Sequence, residues 1–181
     1  MDHDPNYLKL LAVASELARC RDVVIACRSR VPLAVDRRGL GRVMYDLNAA
    51  IHDVTIAALR QEYTTVVCLR PPPSEQDAHR AWQPSSVEHW LDVPRLDLSP
   101  SDPLWTAQSR YDLLRSVAET LARIYRAIPS FASALPRIGD REILIGGCKT
   151  DLGWAAENCA VVADHQIGRS FNDDMWLNGI E

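Results

Sequence analysis

Residues 102–129 read DPLWTAQSRYDLLRSVAETLARIYRAIP. Apolar side chains recur every three or four positions along this stretch, at Leu104, Tyr111, Leu114, Ala118, Leu121, Tyr125 and Ile128. That spacing is one face of an α-helix. Asp102-Pro103 offers a capping carboxylate followed by a proline with its φ already helical, so the helix is expected to open there. Pro129 is expected to end it, because a proline inside a helix removes a backbone hydrogen bond and crowds the preceding turn. Arg115, Glu119 and Arg123 stand four apart on the other side, where ion pairs contribute about 0.3 kcal/mol each. A helix of this length with one greasy face needs other such faces to cover it, and that requirement sets the search for the rest of the fold.

Two further stretches meet it. Asp4-Pro5 repeats the capping pattern, and Tyr7, Leu10, Ala14 and Leu17 follow at helical spacing, with Leu8, Leu11, Ser15 and Ala18 on an adjoining line. Arg19 and Arg21 are expected to close this helix, since cations are favoured at a helix C-terminus. Val23-Val24-Ile25-Ala26-Cys27 either prolongs it or forms a short buried strand, and periodicity does not separate the two over five residues. After Pro32, Gly39 and Gly41, residues Leu40, Val43, Leu47, Ile51, Val54 and Ala58 form a second stripe, predicting a helix from Leu40 to about Gln61.

Shorter elements read as strands. Tyr63–Leu69 is rich in β-branched residues, and Glu142-Ile143-Leu144-Ile145 precedes a tight turn at Gly146-Gly147. Thr150 or Asp151 then caps a last helix whose apolar face is Leu152, Ala155, Cys159 and Val162, with Gly168 as its stop. The predicted fold is therefore α+β and helix-dominated, three long amphipathic helices packed with a few short strands, with all-α as the alternative. The 181 residues are read as a single globular domain, 1–181. Residues 70–103 hold Pro71, Pro72, Pro73, Pro84, Pro94, Pro100 and Pro103 around Trp82, Trp90 and Leu91, and are read as a proline-rich ordered excursion. The tail residues Phe171, Met175, Trp176 and Leu177 are too apolar for a free end and are expected to dock.

Composition excludes some function classes. The net charge of −4 disfavours nucleic-acid binding, which draws on a basic excess to neutralise phosphates. Arg28, Arg30, Arg37, Arg38 and Arg42 form a local basic run, read as an exposed turn with solvated arginines. No stretch approaches the roughly 20 apolar residues that span a bilayer, and no membrane association is expected. Met1-Asp2-His3-Asp4 is acidic where a secretory leader would be basic. The five cysteines are scattered without CxxC spacing, and Cys20, Cys27 and Cys68 sit among aliphatic neighbours as small core residues. This suits a reducing, cytoplasmic setting.

Motifs for phosphate, dinucleotide, hydrolase or zincin chemistry are absent from the sequence. The stretch richest in chemistry is Ile143–His165. A glycine turn leading into a helix offers backbone N–H groups to an anion, and Cys148 beside Lys149 would there be an activated thiol, with His165 as its base. Glu157 and Asp164 share a helix face seven residues apart, as an acid/base pair or as a solvated polar stripe. Catalytic candidates are therefore Cys148, Glu157, Asp164 and His165. His3, His52, His79, His89 and His165 show no paired ligand spacing, so no metal and no cofactor are expected. His52, beside the second stripe, reads as a satisfied structural histidine, and His79 and His89 belong to the excursion.

Ala155-Ala156-Glu157-Asn158-Cys159-Ala160, after a strand and a loop, resembles the first motif of the zinc-dependent nucleoside and nucleic-acid deaminases. The resemblance implies a zinc ligand two residues before a proton-carrying glutamate at a helix start. Ala155 stands at the ligand position if Glu157 is that glutamate, and Val161 at the glutamate position if Cys159 is the ligand. The family's later Cys-x-x-Cys pair has no counterpart after Cys159, so the resemblance implies at most a metal-less deaminase-like scaffold around 142–167. The missing motifs, the mild acidity and the aromatic residues of the excursion and tail predict a non-enzymatic protein–protein interaction module. It would act as a regulatory or neutralising partner of another protein, with self-association compatible with the same pattern. An enzyme with a reactive cysteine at Cys148 is the alternative.

Overall fold

The structure, a computed structural model, describes residues 4–62 and 105–171. The strand expected at 63–69, the excursion at 70–103, the helix opening at Asp102-Pro103, and Met175, Trp176 and Leu177 lie outside the described residues. Among those residues the elements are helical: α1 (Pro5–Arg28), α2 (Ala34–Glu62), α3 (Ala107–Ser133), the short α4 (Ile138–Glu142), a π-helix (Ile143–Cys148) and α5 (Lys149–Gln166). The fold class is corrected accordingly, from α+β to all-α over the described residues.

Asp4 caps α1 as expected, its Oδ1 accepting from the N–H groups of Asn6 and Tyr7 at 2.7 and 3.3 Å. The helix does not close at Arg19 and Arg21. It runs on through Val23–Cys27 because Val23, Val24 and Cys27 continue its buried face, and tertiary burial outweighs the mild helix aversion of β-branched residues. The third helix is capped by Thr106, whose Oγ1 accepts from the Ser109 N–H at 3.1 Å. It passes through Pro129 and ends at Ser133. One lost backbone bond is tolerated in the last turn, where Ile128, Ala132 and Leu135 are buried and hold the chain against the core.

The expected strand Glu142–Ile145 and the Gly146-Gly147 turn are helical instead. The Lys149 N–H donates to the Leu144 carbonyl, an i→i−5 bond, and α4, the π-helix and α5 follow one another without a break. Thr150 and Asp151 are therefore interior residues and cap nothing, and the Thr150 Oγ1 donates back to the Gly146 carbonyl at 2.8 Å. Gly168 is the stop foreseen. Its φ of 70° lies in the left-handed region, and the N–H groups of Gly168 and Arg169 bond the carbonyls of His165 and Asp164.

Inter-helix contacts give the topology. Along the α2–α5 seam His165 meets Asp36, Val162 faces Gly39, Gly147 faces Asp53 and Asp140 meets Arg60, so the two helices are antiparallel. Arg21–Asn48 and Arg28–Arg37 make α1 antiparallel to α2. Asn6–Ala134 and Arg30–Trp105 make α1 antiparallel to α3, and Arg110–Gln166 with Tyr125–Lys149 does the same for α3 and α5. The helices thus close a four-sided bundle in the order α1, α2, α5, α3. α2 and α3 occupy opposite corners and run in the same direction. The end of α2 and the start of α3 lie at opposite ends of the bundle.

The stripes read from the sequence meet inside. Leu40, Val43, Leu47, Val54, Leu114, Leu121, Ile128, Leu144 and Leu152 belong to one buried cluster with Cys20, Cys27, Cys148 and Cys159. Ile51, Tyr111, Tyr125 and Phe171 pack against it partly buried. Arg115 and Glu119 form the expected pair at 3.1 Å, while Arg123 donates to the Thr120 hydroxyl. No described helix is long and apolar enough to cross a membrane.

Candidate functional site

The four sequence candidates do not converge. Cys148 is fully buried in the last π turn, and its thiol is pushed far above the ordinary thiol range by burial and then by Asp53 and Asp151. A thiol in that setting is the inert kind, not an activated nucleophile. Lys149 does not stand beside it as an activator. Its Nζ lies 4.8 Å from the centre of the Tyr125 ring, on the α3 side. His165 is near the far end of α5, roughly 26 Å from Cys148 along an axis that rises about 1.5 Å per residue. Glu157 is half-buried and Asp164 buried, on a side of α5 opposite its apolar face of Leu152, Ala155, Cys159 and Val162.

His165 has a partner that sequence separation hides. Its Nδ1 lies 2.9 Å from Asp36 Oδ1, and the Gln166 amide donates to Asp36 Oδ2 at 3.0 Å. Asp36 is buried near the start of α2 while the histidine is exposed. Arg110 joins Gln166 at 2.8 Å, and the Arg30 guanidinium stacks over Trp105 at 4.2 Å. The basic run surrounds this end of the bundle, but three of its members are occupied with backbone, Arg30 donating to the Ala26 carbonyl at 2.9 Å. Arg37 donates to the carbonyls of Val31 and Pro32, and Arg28 to that of Arg37, tying down the α1–α2 turn. His52, expected to be a satisfied structural histidine, is instead on the surface, its Nδ1 3.6 Å from Asp53.

A second cluster lies across the α2–α5 seam at mid-bundle. Asp46 and Asp53 sit two turns apart on the side of α2 that faces α5, and the antiparallel register brings Asp151 to a level between them, opposite Ala50. Gly147 lets the Asp53 carboxylate sit close to the backbone, since a Cβ there would stand 2.5 Å from Asp53 Oδ2 and push that carboxylate aside. Burial raises the carboxyl pKa of all three aspartates, and at Asp151 the charges of Asp46 and Asp53 add to it. Arg42 gives Asp46 only a long pair, 3.8 Å to Oδ1, from a side chain 76% exposed. Asp46 Oδ2 is buried with no hydrogen-bond partner. By contrast Asp140, also buried, accepts from Arg60 at 2.9 Å and Gln61 at 3.1 Å.

Among the described residues no three His, Cys, Asp or Glu side chains stand so as to share one metal ion. The strand–loop–helix layout that the deaminase resemblance calls for is not formed over 142–166, which is helical throughout. The chain matches no protein-family model, no curated protein and no solved structure. Sequence reading missed Asp36, Asp46, Asp53 and Asp151. The available signal was Asp46 and Asp53, seven apart and flanking the Leu47/Val54 stripe on the inward side of a helix.

Proposed function

We propose that this bundle is a non-enzymatic protein-interaction module that acts by binding another protein, as a regulatory or neutralising partner. The observation that carries the reading is a pair of large exposed aromatics on adjacent helices. Tyr45 on α2 is 72% exposed and Trp154 on α5 is 57% exposed. The antiparallel register sets them at nearly the same level of the bundle. Tyrosine and tryptophan are the side chains that concentrate binding energy when an interface covers them, because they bury much area with few rotamers to freeze. The burial of Cys148 also speaks for this reading over a cysteine-based enzyme.

The test is association measured with and without that surface. Light scattering after size exclusion, and capture from native lysate, are run on the wild type and on the Tyr45→Ala/Trp154→Ala double variant. The expected result is a defined complex, or a defined self-association, that the double variant loses. A strictly monomeric protein that recovers no partner, or a partner held equally by both, counts against the proposal. Rapid labelling of Cys148 in the native state would favour the enzyme instead.

A further inference from the structure

We infer that the α2–α5 seam binds one hydrated divalent cation, of the Mg²⁺ or Mn²⁺ class, between the carboxylates of Asp46 and Asp151, with Asp53 adding negative charge beside it. The inference rests on two separate observations. The first is the register, which sets three carboxylates in a row along one helix–helix seam. The second is Asp46 itself, whose side chain is only 6% exposed and whose Oδ2 has no hydrogen-bond partner. A buried acceptor left unmet is destabilising, and native structures keep one where it has a use. The cations nearby do not supply its missing partner. Arg42 reaches only Oδ1, and at 3.8 Å, and His52 faces Asp53.

The chemistry of the seam selects the ligand. Its charged donors are oxygens, which suit a hard cation. Asp46 Oδ2 has almost no accessible surface, so an ion that sheds a water to meet the carboxylate parts the helices less than the ammonium or guanidinium of a partner's side chain would. Mg²⁺ is commonly held by one or two carboxylates while it keeps several waters. A site of two carboxylates is therefore compatible with the lack of any three-residue chelating group among the described residues. The π-helix contributes through Gly147, which admits the Asp53 carboxylate close to the backbone. Single π turns within helices often mark functional positions.

The test starts from EDTA-treated, dialysed full-length protein, followed by thermal unfolding at constant ionic strength with MgCl₂ or MnCl₂. At ten times the dissociation constant, the midpoint is expected to rise by about 3–5 °C. Asp46→Asn and Asp151→Asn should fold and lose the rise, whereas Glu157→Gln, on the same helix but away from the seam, should keep it. In the wild type, Mn²⁺ should bind at one per chain by electron paramagnetic resonance and broaden the amide signals around residues 46, 147 and 151 before others. No rise with either ion, a rise that survives in the Asp46→Asn/Asp151→Asn variant, an equal rise from NaCl, or broadening centred elsewhere would each overturn the assignment. The broadening needs no variant, so it decides the matter even if a substitution fails to fold.

Discussion

Asp46 and Asp140 are the same residue type on the same side of the bundle, and the structure gives them opposite energetic signs. Asp140 is buried but has two partners, Arg60 at 2.9 Å and the Gln61 amide at 3.1 Å. Truncating it to alanine removes both bonds. Arg60 is 41% exposed and recovers water, so the loss falls below the 3–5 kcal/mol of a fully buried pair, at about 2 kcal/mol. Asp46 keeps a charge at 6% side-chain exposure with an unmet Oδ2, opposite a like charge at Asp151. Asn removes the charge and offers an N–H₂ that can donate to the Asp151 carboxylate. An unmet buried acceptor is destabilising by about 1–3 kcal/mol. Asp46→Asn in EDTA should therefore stabilise by about 1 kcal/mol, which is an upward shift of roughly 2–4 °C in a chain of this size. Urea unfolding followed by circular dichroism gives both free energies on one scale, with unchanged slopes showing that the unfolded states are alike. An Asp46→Asn protein less stable than wild type by 1 kcal/mol or more would refute the reading of Asp46 as electrostatically frustrated. An Asp140→Ala protein as stable as wild type would refute the satisfied one.

Leu121 is wholly buried where α3 meets the common core, so Leu121→Ala should cost about 3 kcal/mol in the same urea assay. A change below 1 kcal/mol would mean that α3 is not packed as described. Burial raises the Cys20 and Cys27 thiols to about 12, and Cys148 and Cys159 are also raised. A disulfide reagent at pH 8 should therefore leave these four unlabelled in the native protein and modify them all in 6 M guanidinium, as peptide mapping would show. Thr106→Ala should cost about 1 kcal/mol through loss of its hydrogen bond to the Ser109 N–H, again by urea midpoint.

How much of this was legible in the sequence follows from the range over which each signal acts. The stripes of α1, α2 and α3 are local and periodic, so Leu10, Leu47, Leu114 and Leu121 could be placed in the core before any fold was known. Element ends were less legible where tertiary burial competes with a local rule. Val23–Cys27 stays helical because Val23, Val24 and Cys27 join the common core, and Pro129 is carried through because Ile128 and Ala132 anchor the turn around it. Glu142–Cys148 misled most. An Ile-Leu-Ile-Gly-Gly run looks like a strand and a turn, and an i→i−5 bond has no sequence period of its own. The site residues were invisible for a different reason. Asp36 meets His165 across 129 positions, and only the register of α2 on α5 reveals that Asp151 lies between Asp46 and Asp53.

That register explains why polar groups are spread along one seam of an otherwise apolar bundle. Apolar contacts are non-directional, and a helix that slides by one turn against its neighbour keeps most of them. Asp36 with His165 and Gln166 at one end, and Asp140 with Arg60 and Gln61 at the other, are met only in a single alignment. Both pairs join α2 to the helical run 138–166, two elements that are not consecutive in the chain. Once those ends are fixed, the middle of the seam is held in place whatever lies there. A buried carboxylate with an unmet oxygen can then persist at Asp46, because the pairs on either side supply the alignment that it opposes.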